Sequence, residues 1–367
     1  MFINSLLFAS IISIVLLLFY YLYFFLKLNT FKKNALIFNE PISIIICAKN
    51  EFLNLKNKLP FVLKQNYSKY EVIVVNDQSN DETANLLKEF EKQYQNLVVV
   101  TIEKHINNHN GKKLALTLGI KSAKHEHLLL TDADCIPKSK NWATKMCSNF
   151  NSVDIVLGYG AYEKKKGLLN QLIRFDTFNV AQQYLSYALA GHTYMGVGRN
   201  MAYRKSLFFE NKGFANHLHI PSGDDDLFIQ EIANKCNVGI EISEQAHTTS
   251  SVTKIWREWV YQKRRHITTA PLYKIKFKIL LTIYPYAQLI FWSTFLTLCL
   301  IEAPIKFVIT LLTIKIFLSY LINYKTMKNL KLMDLYWIHP IYEVLHLCIH
   351  AIFVLLNFVS KPKKWSR

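Results

Sequence analysis

The chain has 367 residues, of which 51% are hydrophobic and 14% aromatic, with a formal net charge of +18. That length allows one α/β domain plus an appendage, because single cores seldom outgrow roughly 250–300 residues. The cysteines at 47, 135, 147, 236, 299 and 348 lack the paired spacing of a zinc site and suit a reduced compartment.

The first element is a run from Phe2 to Leu26 without a charged side chain, and about 20 apolar residues suffice to cross a bilayer. A cleaved secretory signal fits poorly. No basic residue precedes the run, no small-x-small site ends it, and Lys27, Lys32 and Lys33 follow it. The expectation is an anchor over 1–28, with its basic flank and the central domain in the cytoplasm. After a linker, Asn29 to Glu40, the Ile-rich "PISIIICAKNE" predicts a fully buried strand. Leu53 to Leu63 has helical spacing, and "YEVIVVNDQSND" is a second buried strand. Glu82 to Tyr94 is an amphipathic helix with Asp81 as its cap. "NLVVVTIE" is a third strand, "GKKLALTLGIKSAK" a helix opened by Gly111, and "HEHLLLTDAD" a fourth strand. Strict alternation predicts βαβ units and a mostly parallel sheet. Ligands then bind beyond the carboxyl ends of the strands, where Asn50, Glu51, Asn76, Asp77, Asp132 and Asp134 gather. No Gly-x-Gly-x-x-Gly or P-loop accompanies the first strand, which argues against dinucleotide and NTPase sites.

Further on come a helical stretch from Leu168 to Leu189, the Gly-rich "GHTYMGVGRNMAYRK", the acidic "IPSGDDDLFIQEI" and an amphipathic basic helix near 252–270. Ile279 to Ile301 is uncharged and long enough to span a bilayer, and Ile305 to Asn323 is its partner, with Lys315 forced to snorkel or face protein. In the third apolar run, Val344 to Ser360, a stripe of His339, Glu343, His346 and His350 suits the polar face of a half-buried helix better than a metal site. The expectation is two C-terminal crossings plus this helix, because a third crossing would put the basic tail outside. The clusters Lys164–Lys166, Lys263–Arg265, Lys274–Lys278 and Lys361–Lys364 border apolar segments. That placement favours membrane lipid head groups as partners and argues against nucleic acid.

Asp132 and Asp134 have the Asp-x-Asp spacing that puts two carboxylates on one side of an extended strand. Such a pair suits a divalent cation that keeps positions for substrate phosphates.

In order and spacing, "PISIIICAKNE", "VIVVNDQSND", "GKKLALTLGI", "LLLTDADC", "GVGRNMAYRK", "SGDDDL" and "QKRRH" resemble the membrane-bound branch of family 2 inverting glycosyltransferases, over about Pro41 to His266. The resemblance implies a GT-A fold, a Rossmann-like α/β domain over 29–277, followed by C-terminal membrane helices and a basic tail over 278–367. It also implies a nucleoside-diphosphate sugar donor, linked to UDP or GDP, and Mg²⁺ or Mn²⁺. Carried over by residue, it places Ala48, Asn50, Glu51, Asp77, Lys112, Asp132, Gln262 and Arg265 at the donor, with Asp134 beside Asp132 on the metal. Gly198, Arg199, Asn200 and His266 fall at the acceptor. The acceptor hydroxyl needs a base as the sugar leaves, and a carboxylate is the usual choice. The family register gives Asp224, or Asp225 if it slips by one. Two departures stand out: Gly223 where Glu or Asp is usual, and His266 where the family's Gln-x-x-Arg-Trp motif has Trp. The implied function is sugar transfer to a lipid-linked or other membrane-proximal glycan acceptor in cell-envelope synthesis, at a bacterial-type plasma membrane with the catalytic domain cytoplasmic. A processive polysaccharide synthase and a non-catalytic nucleotide-sugar-binding membrane protein are the alternatives.

Overall fold

A computed structural model describes residues 2–32, 37–103, 111–220, 222–301 and 304–360. The basic tail Lys361–Lys364 and Lys33 lie outside them. The β-branched runs of the sequence form a seven-stranded sheet ordered β3-β2-β1-β4-β8-β6-β9. Its strands are β1 (Ile42–Ala48), β2 (Tyr70–Asp77), β3 (Leu97–Ile102), β4 (His127–Leu130), β6 (Ile155–Gly158), β8 (Met201–Arg204) and β9 (Val238–Glu241). A small sheet of β5 (Cys135–Pro137), β10 (Thr248–Ser250) and β7 (Gly160–Tyr162) sits beside it. Strands β1 to β4 are parallel, as the alternation predicts, but β8 runs antiparallel between β4 and β6. The sheet is therefore mixed, and β8 falls in the stretch that reads by sequence as a glycine-rich acceptor loop.

Residues on alternate sides of these strands enter two separate apolar cores, one on each face, as a sheet covered on both sides requires. One face is covered by α4 (Lys112–Ser122) and α6 (Leu168–Leu189), with α1 (Ile3–Thr30) packed on α6 through Phe24 and Tyr187; the other by α2 (Phe52–Leu63), α3 (Thr83–Gln93) and α5 (Trp142–Cys147). Leu168–Leu189 is also the helix expected from sequence, with the same bounds.

Among the described residues four helices are long and apolar enough to cross a membrane: α1, α9 (Ile275–Leu300), α10 (Ile305–Asn329) and α11 (His339–Val359). Between the sheet domain and these helices lie α7 (Asp226–Ile232) and the basic amphipathic α8 (Trp256–Ile267). The polar stripe of α11 turns towards protein and its opposite side, with Ile341, Ile352, Leu355 and Phe358, is exposed. His339 meets Ser319, Glu343 meets Lys315, and His346 and His350 meet Asp176. The stripe is thus an internal seam and does not face a water interface. Lys315 is 1% exposed and faces protein, bonded to Glu343 at 2.7 Å.

The seam has a partner in α6, which carries charged and amide side chains at several levels. Arg174 makes a bidentate pair with Asp334 at 2.7 and 2.8 Å, Gln182 donates to Asn323 at 2.6 Å, and Gln171 accepts from the Tyr342 hydroxyl. Part of the basic stripe is also used internally. Lys263 is paired with Asp176, and the Lys274 ammonium donates to the Gln230 carbonyl. Arg264 donates to the Leu356 carbonyl and Asn357 Oδ1, closing the C-terminal end of α11 where carbonyls lack intrahelical partners. These side chains are tertiary ties, which removes them from the stripe expected to face lipid.

Candidate active site

Strand β1 continues to Ala48, whereas its neighbour β4 stops at Leu130 opposite Ile45. The chain leaving β4 turns into the step thus formed, held by Thr131 N–H to the Ile45 carbonyl and Thr131 Oγ1 to the Arg199 carbonyl. Asp132 and Asp134 lie in this turn, closed by Cys135 N–H to the Asp132 carbonyl at 3.0 Å. The expectation of an extended strand through Asp134 is corrected here: the two carboxylates converge because the backbone turns, and strand pleating is not the cause.

They open onto a cavity of about 1140 Å³ at the carboxyl ends of the parallel strands. Ala48, Glu51, Asp77, Lys112, Asp132, Asp134, Gly198, Arg199, Asp224, Asp225, Gln262, Arg265 and His266 all line it. Residues separated by more than two hundred positions in sequence are brought together. The centre is Lys112 at the start of α4, whose Nζ lies 3.0 Å from Asp132 Oδ1 and 3.1 Å from Asp224 Oδ2. Burial works against its charge, but Asp132 and Asp224 hold the ammonium protonated well above the usual lysine range.

The adjacent acids differ. Asp224 is buried and takes the Lys112 ion pair. Asp225 receives the Gly198 N–H at 3.0 Å, and burial followed by the charges of Asp224 and Asp226 pushes its carboxyl up to about 7. Asp226, which sequence reading assigns no role, accepts from Thr269 Oγ1 at 2.6 Å and Tyr273 Oη at 2.7 Å, tying α7 to the chain after α8. The departure at Gly223 has a steric cause. Its φ is +95°, and a Cβ there would stand 2.6 Å from Leu227 Cδ1, so a Glu or Asp here would be strained and would force Leu227 to shift.

Two expected site residues are otherwise engaged. Asn200 is 0% exposed; its amide donates to the Tyr159 and Ala246 carbonyls and its oxygen accepts from Trp142 Nε1. It braces the small sheet, and the acceptor expectation for it is corrected. Asn50, at φ +55°, ties the β1–α2 turn to Ser79 and Asn80 and does not line the cavity. Arg199 lies over the Tyr162 ring at 4.3 Å, and Gln262 donates to the Tyr162 hydroxyl at 3.4 Å. Burial, then Lys263 and Arg265, push the His266 imidazole down to about 3, so this residue enters the cavity as a neutral ring.

Ligand atoms of Asp132, Asp134 and Cys135 lie within 4.8 Å of one another. Burial and the two acids push the Cys135 thiol up to about 12, and its sulfur is 3.0 Å from Ser250 Oγ. A protonated thiol is a poor ligand, so the fitting donors are the two carboxylates, the hard oxygen set that Mg²⁺ and Mn²⁺ take.

The mixed sheet with acids at its parallel strand ends defines the fold class: a Rossmann-like domain of the GT-A kind. Residues 43–210 match the Glycosyl transferase family 2 profile. A poly-beta-1,6-N-acetyl-D-glucosamine synthase of Staphylococcus epidermidis is 34% identical over 119 residues, which are 31% of this chain and 28% of the relative. The Staphylococcus aureus synthase is 33% identical over 97 residues, covering 26% and 22% respectively. The matched stretch is thus under a third of these relatives' length. Among solved structures, a mannosyltransferase from Pyrobaculum calidifontis, in complex with GDP-Man and Mn²⁺, superposes with a TM-score of 0.57 at 16% identity. That superposition covers 93% of this chain and 99% of the other, and the GT-A fold is common to both.

Proposed function

We propose that the protein is a membrane-anchored inverting glycosyltransferase. In this reading it takes a sugar from a UDP- or GDP-linked donor at the cytoplasmic face of a bacterial-type plasma membrane and attaches it to a lipid-linked or membrane-proximal acceptor. The observation that carries it is the meeting of Asp132, Lys112, Asp224 and Asp225 at one end of a cavity whose other end reaches α8 and α11. Donor and bilayer are thereby joined by one space.

Asp77, Ala48 and Glu51 face the nucleoside end. A Mg²⁺ or Mn²⁺ ion held by Asp132 and Asp134 would supply positive charge to the diphosphate. Asp225 takes the acceptor hydroxyl's proton, the acceptor oxygen bonds to the anomeric carbon from the far side, and the bond to the diphosphate breaks. This choice favours the slipped register, because Asp224 is occupied by Lys112 while Asp225 has a carboxyl near neutrality, where a general base works best. Lys112 and Arg265 supply fixed cationic donors to the departing diphosphate.

A processive synthase is the second reading, favoured by the name of the staphylococcal relatives. His266 speaks for single addition. Incubating detergent-purified protein with UDP- and GDP-sugars, with and without Mn²⁺, is expected to release nucleotide for one donor only and to extend the acceptor by one residue. A ladder of products establishes the processive reading instead, and donor binding with no turnover the non-catalytic one.

Two further results are expected. Asp134→Ala loses the part of donor binding that a chelator removes from the wild type, measured by calorimetry. The pH profile of kcat/KM for transfer falls on the acid side with an apparent pKa of about 7, because Asp225 must be ionised to accept a proton. Since folding raises this pKa, the protonated carboxyl favours the folded state and the stabilisation is lost as pH rises through 7. Asp225→Asn therefore unfolds at a higher temperature than wild type under alkaline conditions.

A further inference from the structure

The far end of the cavity holds a second cluster, remote in sequence from the Asp-x-Asp turn. Asp176 on α6 is 1% exposed, and its Oδ1 receives both His346 Nε2 and His350 Nε2, each at 3.0 Å. The histidines are four residues apart on α11, so they share one helix face, and their rings lie 4.1 Å apart between centroids. One ligand atom from each of the three residues falls within 4.8 Å of the other two. The other carboxylate oxygen, Oδ2, is paired with the Lys263 ammonium from α8, which leaves Oδ1 to face the imidazoles. Asp176 and His350 border the cavity, so an ion and a solvent ligand can reach the cluster.

We propose that Asp176, His346 and His350 form a second metal site, for a divalent cation of the Zn²⁺ class. Two imidazoles and one carboxylate suit zinc and its borderline neighbours, and hard Mg²⁺ prefers an all-oxygen set. Three protein ligands leave one position open, as in zinc sites that bind an exogenous oxygen. Each imidazole presents an unprotonated Nε2 to the ion and carries its proton on Nδ1, so the ion replaces two N–H to Oδ1 hydrogen bonds. Lys263 stays on Oδ2 and balances the carboxylate. The ion fastens α11 to α6 beside α8, at the membrane end of the cavity. This inference does not rest on the catalytic reading.

The test is metal binding by full-length protein in detergent micelles. After stripping and loading with Zn²⁺, wild type is expected to retain one more equivalent than His346→Ala/His350→Ala, and Asp134→Ala one more than Asp134→Ala/His346→Ala/His350→Ala, measured by elemental analysis after desalting. Loading with Co²⁺ is expected to give visible d–d absorption in wild type and Asp134→Ala that is absent from the double variant. Equal zinc retention by the double variant and wild type overturns the site. So does the absence of a nitrogen-ligated Co²⁺ spectrum from wild type, a result independent of how any variant folds.

Discussion

Asp225→Asn is expected to lower the turnover of sugar transfer by about 10²–10⁴-fold, the range a positioned general base contributes, with donor affinity close to wild type. The substitution keeps shape and keeps an acceptor for the Gly198 N–H, so the turn before α7 has no steric reason to move. Asp224→Asn acts differently: it removes one of the two carboxylates on Lys112, so its effect falls on donor affinity as well as turnover. Single-turnover kinetics with a fixed donor separates the two. If Asp224→Asn stops chemistry with donor binding intact while Asp225→Asn stays near wild type, the base is Asp224 and the family register holds.

Lys315→Met is expected to destabilise the protein by about 3–5 kcal/mol, the cost of removing one partner from a buried ion pair. Glu343 would remain among α9, α10 and α11 with the Gln288 amide, now 2.5 Å from the same oxygen, and no cation in place of Lys315 among the described residues. The double variant Lys315→Met/Glu343→Leu removes both charges and is expected to recover most of the loss, because apolar pairs of similar volume often match a buried salt bridge. Thermal unfolding in detergent measures both. A single variant as stable as wild type shows that the pair is solvated in the folded protein.

Much of this architecture was legible because local pattern and tertiary burial agree. The Ile and Val runs of β1 and β2 are buried along nearly their whole length, so no alternative face competes for them. The acids at strand ends were legible for the same reason, since a parallel sheet fixes where its carboxyl ends gather. What was not legible depends on partners distant in sequence. β8 is short and follows glycines, and only pairing with β4 and β6 makes it a strand. Asn200 looks like a free donor until Trp142 and Tyr159 close around it. The stripe on α11 reads as the polar face of a helix at the interface or inside the bundle, and its partner Asp176, about 170 residues away, decides for the bundle. Asp224 and Asp225 are neighbours in a turn, where one residue of register sends side chains in different directions.

Helix α6 has a practical consequence for dissecting the molecule. A soluble fragment ending near residue 277 would keep this helix but lose Asp334, Asn323, His346 and His350, which answer Arg174, Gln182 and Asp176, leaving Asp176 with Lys263 alone of its present partners. Ionic and amide groups that are dry in the intact chain would be stripped of their counterparts along a single rod. The seam between the sheet domain and the long apolar helices is therefore a poor place to cut, and excision there is expected to yield an aggregating product. Exchanging membrane halves between relatives meets the same obstacle unless the rod travels with its own bundle.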